Sequence, residues 1–203
     1  SDTNDSNATK KALISDITSL NAATATLTAR VLGEKWRITE GVINRGLTHV
    51  DWSGRWQRVR MGSRLMILDS SHNPEGAQVL DDNLAKLVAE TGRKPVVITG
   101  ALGVARAGAL LATIGKHARE IHLVVPSQAR ACTHEQLASL LPEAFSGEVH
   151  RTDLPTLFPD ASQCTAGGPD DVLVLTGSIY LIGEVMARLA PEHGVGEGSM
   201  QDF

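Results

Sequence analysis

The sequence predicts an α/β domain with a mostly parallel sheet flanked by helices. Short apolar segments of strand length alternate with helical segments from about residue 56 to residue 190. This alternation is typical of strand–helix–strand units with right-handed crossovers. Of the residues, 42% are hydrophobic but only 3% are aromatic. The core must therefore consist of aliphatic side chains, as in most buried parallel sheets.

Length, charge and cysteine content limit the class of protein. A chain of 203 residues holds one domain, or one domain and part of another. The net charge of -4 and the pI near 6.0 argue against the broad basic face that nucleic acid requires. No apolar run has the length of a membrane span, and the polar start is unlike a signal peptide. Cys132 and Cys164 are far apart, and we expect two reduced thiols in a cytoplasmic protein.

The first part of the chain predicts helices before any strand. Residues 1–8 are polar, and we expect a flexible segment or a cloning remnant there. From Lys10 to Leu32 the apolar residues recur at spacings of three and four, which predicts one helical stripe. Its members are Leu13, Ile17, Leu20, Thr24, Leu27 and Val31. A shorter helix follows, with Thr39 as its N-cap and Gly46 near its end. A long apolar helix face with no strand before it suggests that this helix pair belongs to an upstream domain.

The remaining elements alternate between strands and helices. The predicted strands are 56–61, 64–69, 95–99, 120–125, 148–151 and 171–176. The first two are joined by the tight turn Gly62-Ser63. Asn73 is the predicted N-cap of a helix from Pro74 to Thr91, and Thr133 begins a capping box. The other predicted helices are 106–117, 134–141, 153–161 and 179–190. The tail after residue 191 is expected to be frayed.

The loops after the strands are the expected ligand-binding positions, because ligands bind beyond the carboxyl ends of such strands. The most informative loop is Asp69-Ser70-Ser71-His72-Asn73-Pro74. Asp69 could accept hydrogen bonds from ribose hydroxyls, and His72 could donate to a phosphate or move a proton near neutral pH. The alternative, equally favoured by the local chemistry, is that Asp69 caps a turn and Asn73 only caps a helix.

Two further segments could bind an anion. In Trp52-Ser53-Gly54-Arg55 the glycine lets the backbone approach a ligand that the guanidinium could grip. In the segment 176–180, Ser178 stands at the start of a helix. Each is also consistent with an ordinary turn. The chain lacks the GxxxxGK[ST] loop, a GxGxxG after a strand and a GxSxG elbow. The seven histidines do not fall at metal-ligand spacings, so we expect no structural zinc.

Five segments together resemble a known family. They are NAATA at 21–25, WSGR at 52–55, DSSHNP at 69–74, PSQARA at 126–131 and TGSIY at 176–180. Their order resembles that of the folylpolyglutamate synthase/dihydrofolate synthase family, ATP-dependent ligases related to the muramyl peptide ligases. The resemblance implies a Rossmann-like Mur ligase C-terminal domain at residues 49–192. The last helices of an ATPase domain would occupy residues 9–48, and a flexible tail residues 193–203.

The resemblance also implies a chemistry and a set of partners. In the family, ATP and Mg²⁺ convert a pteroate or folate carboxylate to an acyl phosphate, which the amino group of L-glutamate attacks. Asn21, Arg55 and Asp69 look like nucleotide contacts, and Ser178 is a weaker candidate. His72 is the best candidate beside the reacting carboxyl or phosphate, so His72 and Arg55 are the predicted catalytic residues. The phosphate-binding loop and the magnesium ligands would lie in an upstream ATPase domain, and this chain alone would be inactive.

Departures from the family pattern leave two alternatives open. The family usually has Asp-Lys-Asp where this chain has Ala105-Arg106-Ala107, and WPGR has become WSGR. Ser70 and Ser71 replace a glycine and an alanine. The first alternative is a stand-alone, non-catalytic module that binds a nucleotide or a protein. The second is a Mur-type ligase that uses a different amino-acid acceptor.

Overall fold

A computed structural model of the chain describes residues 16–49 and 53–189. They belong to two compact units that divide between residues 52 and 53. The predictions for residues 1–8, for Trp52 and for the tail 193–203 lie outside the described residues. Within the described ranges, no helix combines the length and the hydrophobicity that a bilayer crossing requires.

The described part of the first unit contains two helices, α1 (Asp16–Trp36) and α2 (Glu40–Thr48). Helix α1 ends four residues later than predicted. Its end is formed by Arg37, which has a left-handed φ of 55°, while the following N–H donates to the Gly33 carbonyl at 3.0 Å. This motif normally uses a glycine, so an arginine at this position does not predict it. Thr39 is the N-cap of α2, as predicted.

Residues 53–189 of the second unit form a six-stranded sheet with five helices. In chain order its elements are β1 (Gln57–Met61), β2 (Arg64–Asp69), α3 (Pro74–Thr91), β3 (Val96–Thr99), α4 (Val104–His117), β4 (Glu120–Leu123), α5 (His134–Ser139), β5 (Glu148–Arg151), α6 (Leu154–Leu157), β6 (Leu173–Thr176) and α7 (Ile179–Leu189). The strand order is β1-β2-β6-β3-β4-β5. Strand β1 is antiparallel to β2, and every other pairing is parallel. The predicted mostly parallel α/β fold is therefore confirmed.

The helices lie on two faces because of the direction of the crossovers. From β2 through β5 the chain crosses the sheet in one direction, so right-handed connections place α3, α4 and α5 on the same face. The return from β5 to β6 runs the other way and places α6 on the opposite face, where α7 also packs. The first face buries residues such as Leu84, Leu110 and Val97. The second buries Leu181, Phe158 and Ile98. The result is a three-layer domain with an aliphatic core, as the composition predicted.

The insertion of β6 between β2 and β3 sets up one edge of the sheet. The register pairs Asp69 with Thr176, and Thr176 with Thr99. These are the last residues of three neighbouring parallel strands. The turns that follow them therefore begin at the same level, and we call this end of the sheet the carboxyl edge.

Candidate functional site

Asp69 is a buried anchor of the carboxyl edge. It is 4% exposed, and its Oδ1 accepts a hydrogen bond from the Ser71 N–H at 3.0 Å. Its Oδ2 accepts from the Trp56 N–H at 3.1 Å. Both carboxylate oxygens therefore accept hydrogen bonds from backbone N–H groups. One of these groups lies in the loop after β2, and the other lies in the segment before β1. This arrangement agrees with the alternative that Asp69 caps a turn. In addition, the carboxylate joins two loops through its hydrogen bonds.

The segment that carries Arg55 is fixed on both sides. The Gly54 carbonyl accepts from the Ser70 N–H at 2.7 Å, and the Trp56 N–H is held by Asp69. Gly54 is buried with a φ of 73° and lies against Ile182 of α7. Between these anchored residues the side chain of Arg55 is exposed. The backbone of Arg55 is thus fixed beside the carboxyl edge while its guanidinium faces solvent.

His72 lies on the loop between β2 and α3 and is exposed. Its Nδ1 lies 2.8 Å from the Ser70 carbonyl oxygen. Since a carbonyl only accepts, Nδ1 carries the proton, and Nε2 of the neutral ring remains an acceptor for a ligand proton. Asn73 caps α3 by accepting from the Gly76 N–H at 2.8 Å, as predicted. Any side chain at Gly76 would crowd Ser71, so this loop is tightly packed.

Ser178 begins the loop-to-helix transition after β6 and is 2% exposed. Its Oγ accepts from the Tyr180 N–H at 3.2 Å, and its carbonyl accepts from the Ile182 N–H. The preceding Gly177 has a φ of 113°, and a Cβ there would lie 2.5 Å from the Gly100 carbonyl oxygen. Ser178 therefore acts as a helix cap in a turn that packs directly against the end of β3.

Two buried threonine hydroxyls lie at the carboxyl edge, at the ends of β3 and β6. Oγ1 of Thr99 and Oγ1 of Thr176 are buried and have no hydrogen-bond partner among the described residues. A buried hydroxyl without a partner costs free energy. The sequence analysis includes Thr176 in the segment 176–180 but assigns no role to either hydroxyl, although a signal was present. Each is the last residue of an apolar strand and is followed by a glycine, in VVITG and in LVLTG.

The other predicted strand-end segments pack onto this edge through backbone contacts. The Gly103 N–H donates to the Arg130 carbonyl at 3.1 Å, and the Cys132 N–H donates to the Ala101 carbonyl at 2.9 Å. Ser127 donates through its N–H to Glu184 of α7 at 2.8 Å. The loops after β3 and β4 are thereby joined, and the loop after β4 is tied to α7.

The structure brings four of the five predicted site residues to one edge. Asp69 ends β2, His72 follows it, Arg55 precedes β1, and Ser178 follows β6. Hydrogen bonds join the backbone on both sides of Arg55 to Asp69 and Ser70. Asn21 is exposed on α1 in the other unit, and its role stays a prediction. Both predicted thiols are free, with Cys132 buried and Cys164 partly buried.

The carboxyl edge does not fit a magnesium site built from this chain alone. Mg²⁺ is usually bound by one or two carboxylates together with phosphates and water. Along β2, β6 and β3 the strand-end carboxylate is Asp69, and both its oxygens already accept backbone N–H groups. This is compatible with the expectation that magnesium ligands belong to another domain.

The second unit is an α/β domain with anchored, partly cationic loops at the carboxyl ends of its strands. Residues 54–179 match the family model described as "Mur ligase, glutamate ligase domain". The chain therefore belongs to the Mur ligase family, and the predicted family resemblance is confirmed. No curated protein matches the chain significantly.

Solved structures of related enzymes are similar to this chain. The bifunctional folylpolyglutamate synthase/dihydrofolate synthase of Yersinia pestis, complexed with AMPPNP and Mn ion, is 25% identical with a TM-score of 0.55. That match covers 75% of this chain and 35% of the enzyme. E. coli FolC in complex with DHPP and ADP is 25% identical with a TM-score of 0.62, over 85% of this chain and 39% of that protein. The chain thus spans well under half of the length of these enzymes.

Proposed function

We propose that this chain is the C-terminal part of an ATP-dependent ligase that adds L-glutamate to dihydropteroate, reduced folate or both. The reaction would proceed through an acyl phosphate and would require an N-terminal P-loop domain. The proposal is supported by membership in the Mur ligase family and by similarity to structures of folylpolyglutamate synthase/dihydrofolate synthases. In the structure, the observation that carries it is the pair of exposed side chains, Arg55 and His72, on loops fixed to the carboxyl edge.

Arg55 and His72 have complementary roles in this proposal. Arg55 would stabilise the negative charge that develops on the transferred phosphoryl group, because its guanidinium is always charged and its backbone is held in place. His72 would face the reacting carboxyl or phosphate through Nε2, the ring nitrogen that the Ser70 carbonyl leaves available, and would donate to an anionic oxygen there when Nε2 carries a proton. Bound ATP would supply the phosphoryl group. A fixed backbone favours catalysis because the charge is positioned before the reaction begins.

Asp69 and Ser178 would bind the nucleotide mainly by shaping the loops around it. Asp69 accepts two backbone N–H groups and is buried, which supports a positioning role more strongly than direct contact with ribose. Ser178 caps the first turn of α7, leaving helix N–H groups at the edge. Asn21 would contact the nucleotide from α1.

An upstream ATPase domain is the proposed partner of this chain. The apolar stripe on α1 includes Leu27 and Val31, which are 61% and 84% exposed. Exposed apolar side chains of this kind are typical of a surface that packs against another domain. The P-loop and the Mg²⁺ ligands would come from that domain, and this sequence contains no GxxxxGK[ST] loop.

The roles can be tested in the longer protein that carries this chain and a P-loop domain. Arg55→Ala should lower kcat for glutamate-dependent ADP release about 100-fold or more, the usual loss when a preorganised charge-stabilising group is removed. Arg60→Ala is the matched control, since Arg60 is also exposed and lies on the neighbouring strand β1. Equal kinetics for Arg55→Ala and the control would exclude the proposed role of Arg55.

A separate experiment tests whether the 203-residue chain has ligase activity without an upstream domain. The chain alone, supplied with ATP, Mg²⁺, L-glutamate and dihydropteroate or reduced folate, should release no glutamate-dependent ADP. Turnover by the chain alone would contradict the need for an upstream domain. Comparing dihydropteroate with reduced folate in the longer protein would then identify the acceptor.

A non-catalytic module is the second candidate, favoured by the Ala105-Arg106-Ala107 departure. Ala105 and Arg106 are exposed in the first turn of α4, whereas Ala107 is 1% exposed and belongs to the core. A carboxylate at position 107 would be buried. The alanine found there instead contributes to the apolar core and supplies no catalytic group. If this candidate is correct, the isolated chain should bind a fluorescent ATP analogue, and its coding sequence should start close to Ser1. A Mur-type ligase for another amino acid would instead show turnover with that acceptor only.

A further inference from the structure

Three ligand-type side chains meet on the sheet face that α6 and α7 cover. Glu120 and His122 are two residues apart on β4, so both side chains point to the same face. The parallel register pairs His122 with His150 of β5. One potential ligand atom from each of the three residues lies within 4.8 Å of the others. We call Glu120, His122 and His150 the histidine cluster.

One carboxylate oxygen is the centre of the cluster. Oε1 of Glu120 lies 2.7 Å from Nε2 of His122 and 3.7 Å from Nε2 of His150. The two imidazole rings are stacked, with centroids 4.7 Å apart and an interplanar angle of 22°. Both rings therefore direct Nε2 toward the same oxygen. Two imidazole nitrogens and a carboxylate oxygen arranged in this way form a common set of ligands for a transition metal.

The surroundings favour a cation. Three carboxylates belong to the neighbourhood, Glu120, Glu148 and Asp171. The guanidinium of Arg119 bridges two of them, at 3.2 Å from Glu120 and 2.5 Å from Asp171. Oε2 of Glu148 lies 3.3 Å from Nε2 of His150. With neutral imidazoles the local charge is negative, and a divalent ion would offset it.

The two inner residues of the cluster are buried. His122 is 7% exposed and Glu120 is 9% exposed. In addition, Nδ1 of His122 is buried and has no hydrogen-bond partner among the described residues. Hydrogen bonding within the protein therefore leaves this ring only partly satisfied.

We propose that Glu120, His122 and His150 bind a Zn²⁺ ion, with Glu148 as the fourth ligand. Zn²⁺ fits because it accepts nitrogen and oxygen ligands in a tetrahedral arrangement at about 2.0–2.2 Å. Such an arrangement requires ligand atoms about 3.3 Å apart, a separation that follows from those bond lengths. The contact between Glu120 and His122 must therefore open by about half an ångström, as it would when an ion replaces the shared proton.

The proposed ion would join the edge strand β5 to β4. Strand β5 is the last strand of the sheet and pairs on one side only. Glu148 is mostly exposed, with 79% of its side-chain area accessible, so it can move toward an ion. A ligand that binds only the folded chain raises its stability. The site would thus be structural, and it does not rest on the ligase proposal.

The test uses the 203-residue chain without a polyhistidine tag, stripped of metal with a chelator. Calorimetric titration with Zn²⁺ should give one equivalent bound, and Co²⁺ should give the visible absorption of a tetrahedral site. His150→Gln should weaken Zn²⁺ binding about tenfold or more, on the scale of losing a supporting or direct ligand. His150 is partly exposed, with 43% of its side-chain area accessible, so this variant should fold.

His134→Gln provides the matched control. His134 is also a partly buried histidine, and its Nε2 contacts the Thr152 carbonyl just after β5. The control should bind Zn²⁺ like the unaltered chain, and Zn²⁺ should raise the Tm of both but not that of His150→Gln. Absence of Zn²⁺ binding, or equal binding by His150→Gln and the unaltered chain, would overturn the proposal. The second result would mean that other residues hold the metal.

Discussion

Replacing Asp69 by asparagine tests whether this carboxylate holds the carboxyl edge together. The two oxygens of Asp69 accept the N–H groups of Trp56 and Ser71, at 3.1 and 3.0 Å, and the side chain is 4% exposed. Asparagine has nearly the same shape but only one oxygen. Its amide nitrogen would then face one of the two backbone donors, and that donor would lose its partner.

The expected loss of stability follows from these contacts. A buried N–H left without an acceptor costs about 1–3 kcal/mol, and the remaining hydrogen bond loses the contribution of the charge. We therefore expect Asp69→Asn to lower the free energy of unfolding by about 2–4 kcal/mol. With a urea m-value of about 2 kcal/mol/M, the unfolding midpoint should fall by about 1–2 M.

Urea titration of the 203-residue chain, followed by tryptophan fluorescence, measures this loss. Trp56 is partly buried and packs against the core, so its emission should report unfolding of the second unit. Asp170→Asn is the control, since Asp170 is an exposed aspartate and should change the midpoint little. If Asp69→Asn unfolded at the same urea concentration as Asp170→Asn, the two hydrogen bonds would not stabilise the edge, and the positioning role would be wrong.

Two further substitutions test the packing of the edge and the pH dependence of stability. Gly177→Ala should destabilise the chain by about 1–3 kcal/mol. The reason is that Gly177 has a φ of 113° and that a Cβ there would lie 2.5 Å from the Gly100 carbonyl oxygen. The control is Gly46→Ala, which lies in open space on a helix and should be neutral or stabilising in the same urea titration. The hydrogen bond from His117 lowers the pKa of Asp81 below its ordinary value of 3.8, so the interaction stabilises the folded chain above that value and is lost as the pH falls through the folded pKa. Asp81→Asn should remove this contribution, about 0.5 kcal/mol for so exposed a pair. The unaltered chain should then lose more stability than the variant between about pH 5 and about pH 2, and parallel pH profiles would contradict this.

The local elements of the fold could be predicted because their signals are local. Asn73 before Pro74 and Thr133 before Gln136 form the predicted caps, and the Gly62-Ser63 turn joins the predicted hairpin. The helix predicted over 153–161 ends at Leu157, because Pro159 disfavours a helical conformation at the preceding residue, Phe158. The strand order could not be predicted, because the insertion of β6 between β2 and β3 depends on contacts far apart in sequence.

The position of the candidate site could be predicted from the sequence, but the hydrogen bonds between its residues could not. Strand ends mark where loops gather, so Asp69 and Ser178 could be found from the pattern. The sequence could not reveal that Asp69 holds Trp56, thirteen positions earlier in the chain. The same limit applies to the histidine cluster, since His122 and His150 meet only through the β4–β5 register. A spacing rule finds ligands on one turn or one helix, and it misses ligands that two parallel strands bring together.

The sheet topology keeps the two proposed sites apart. Arg55 and His72 lie at the end of β2, whereas His150 lies on β5, four strand positions away in the order β2-β6-β3-β4-β5. At about 4.8 Å per strand this is about 19 Å, well beyond the range at which substitutions usually couple. A metal that fixes β5 should therefore change the stability of the edge strand without changing the loops that face the nucleotide. For that reason, a result that contradicts the zinc site would leave the ligase proposal unaffected. A result that contradicts the ligase proposal would likewise leave the zinc site unaffected.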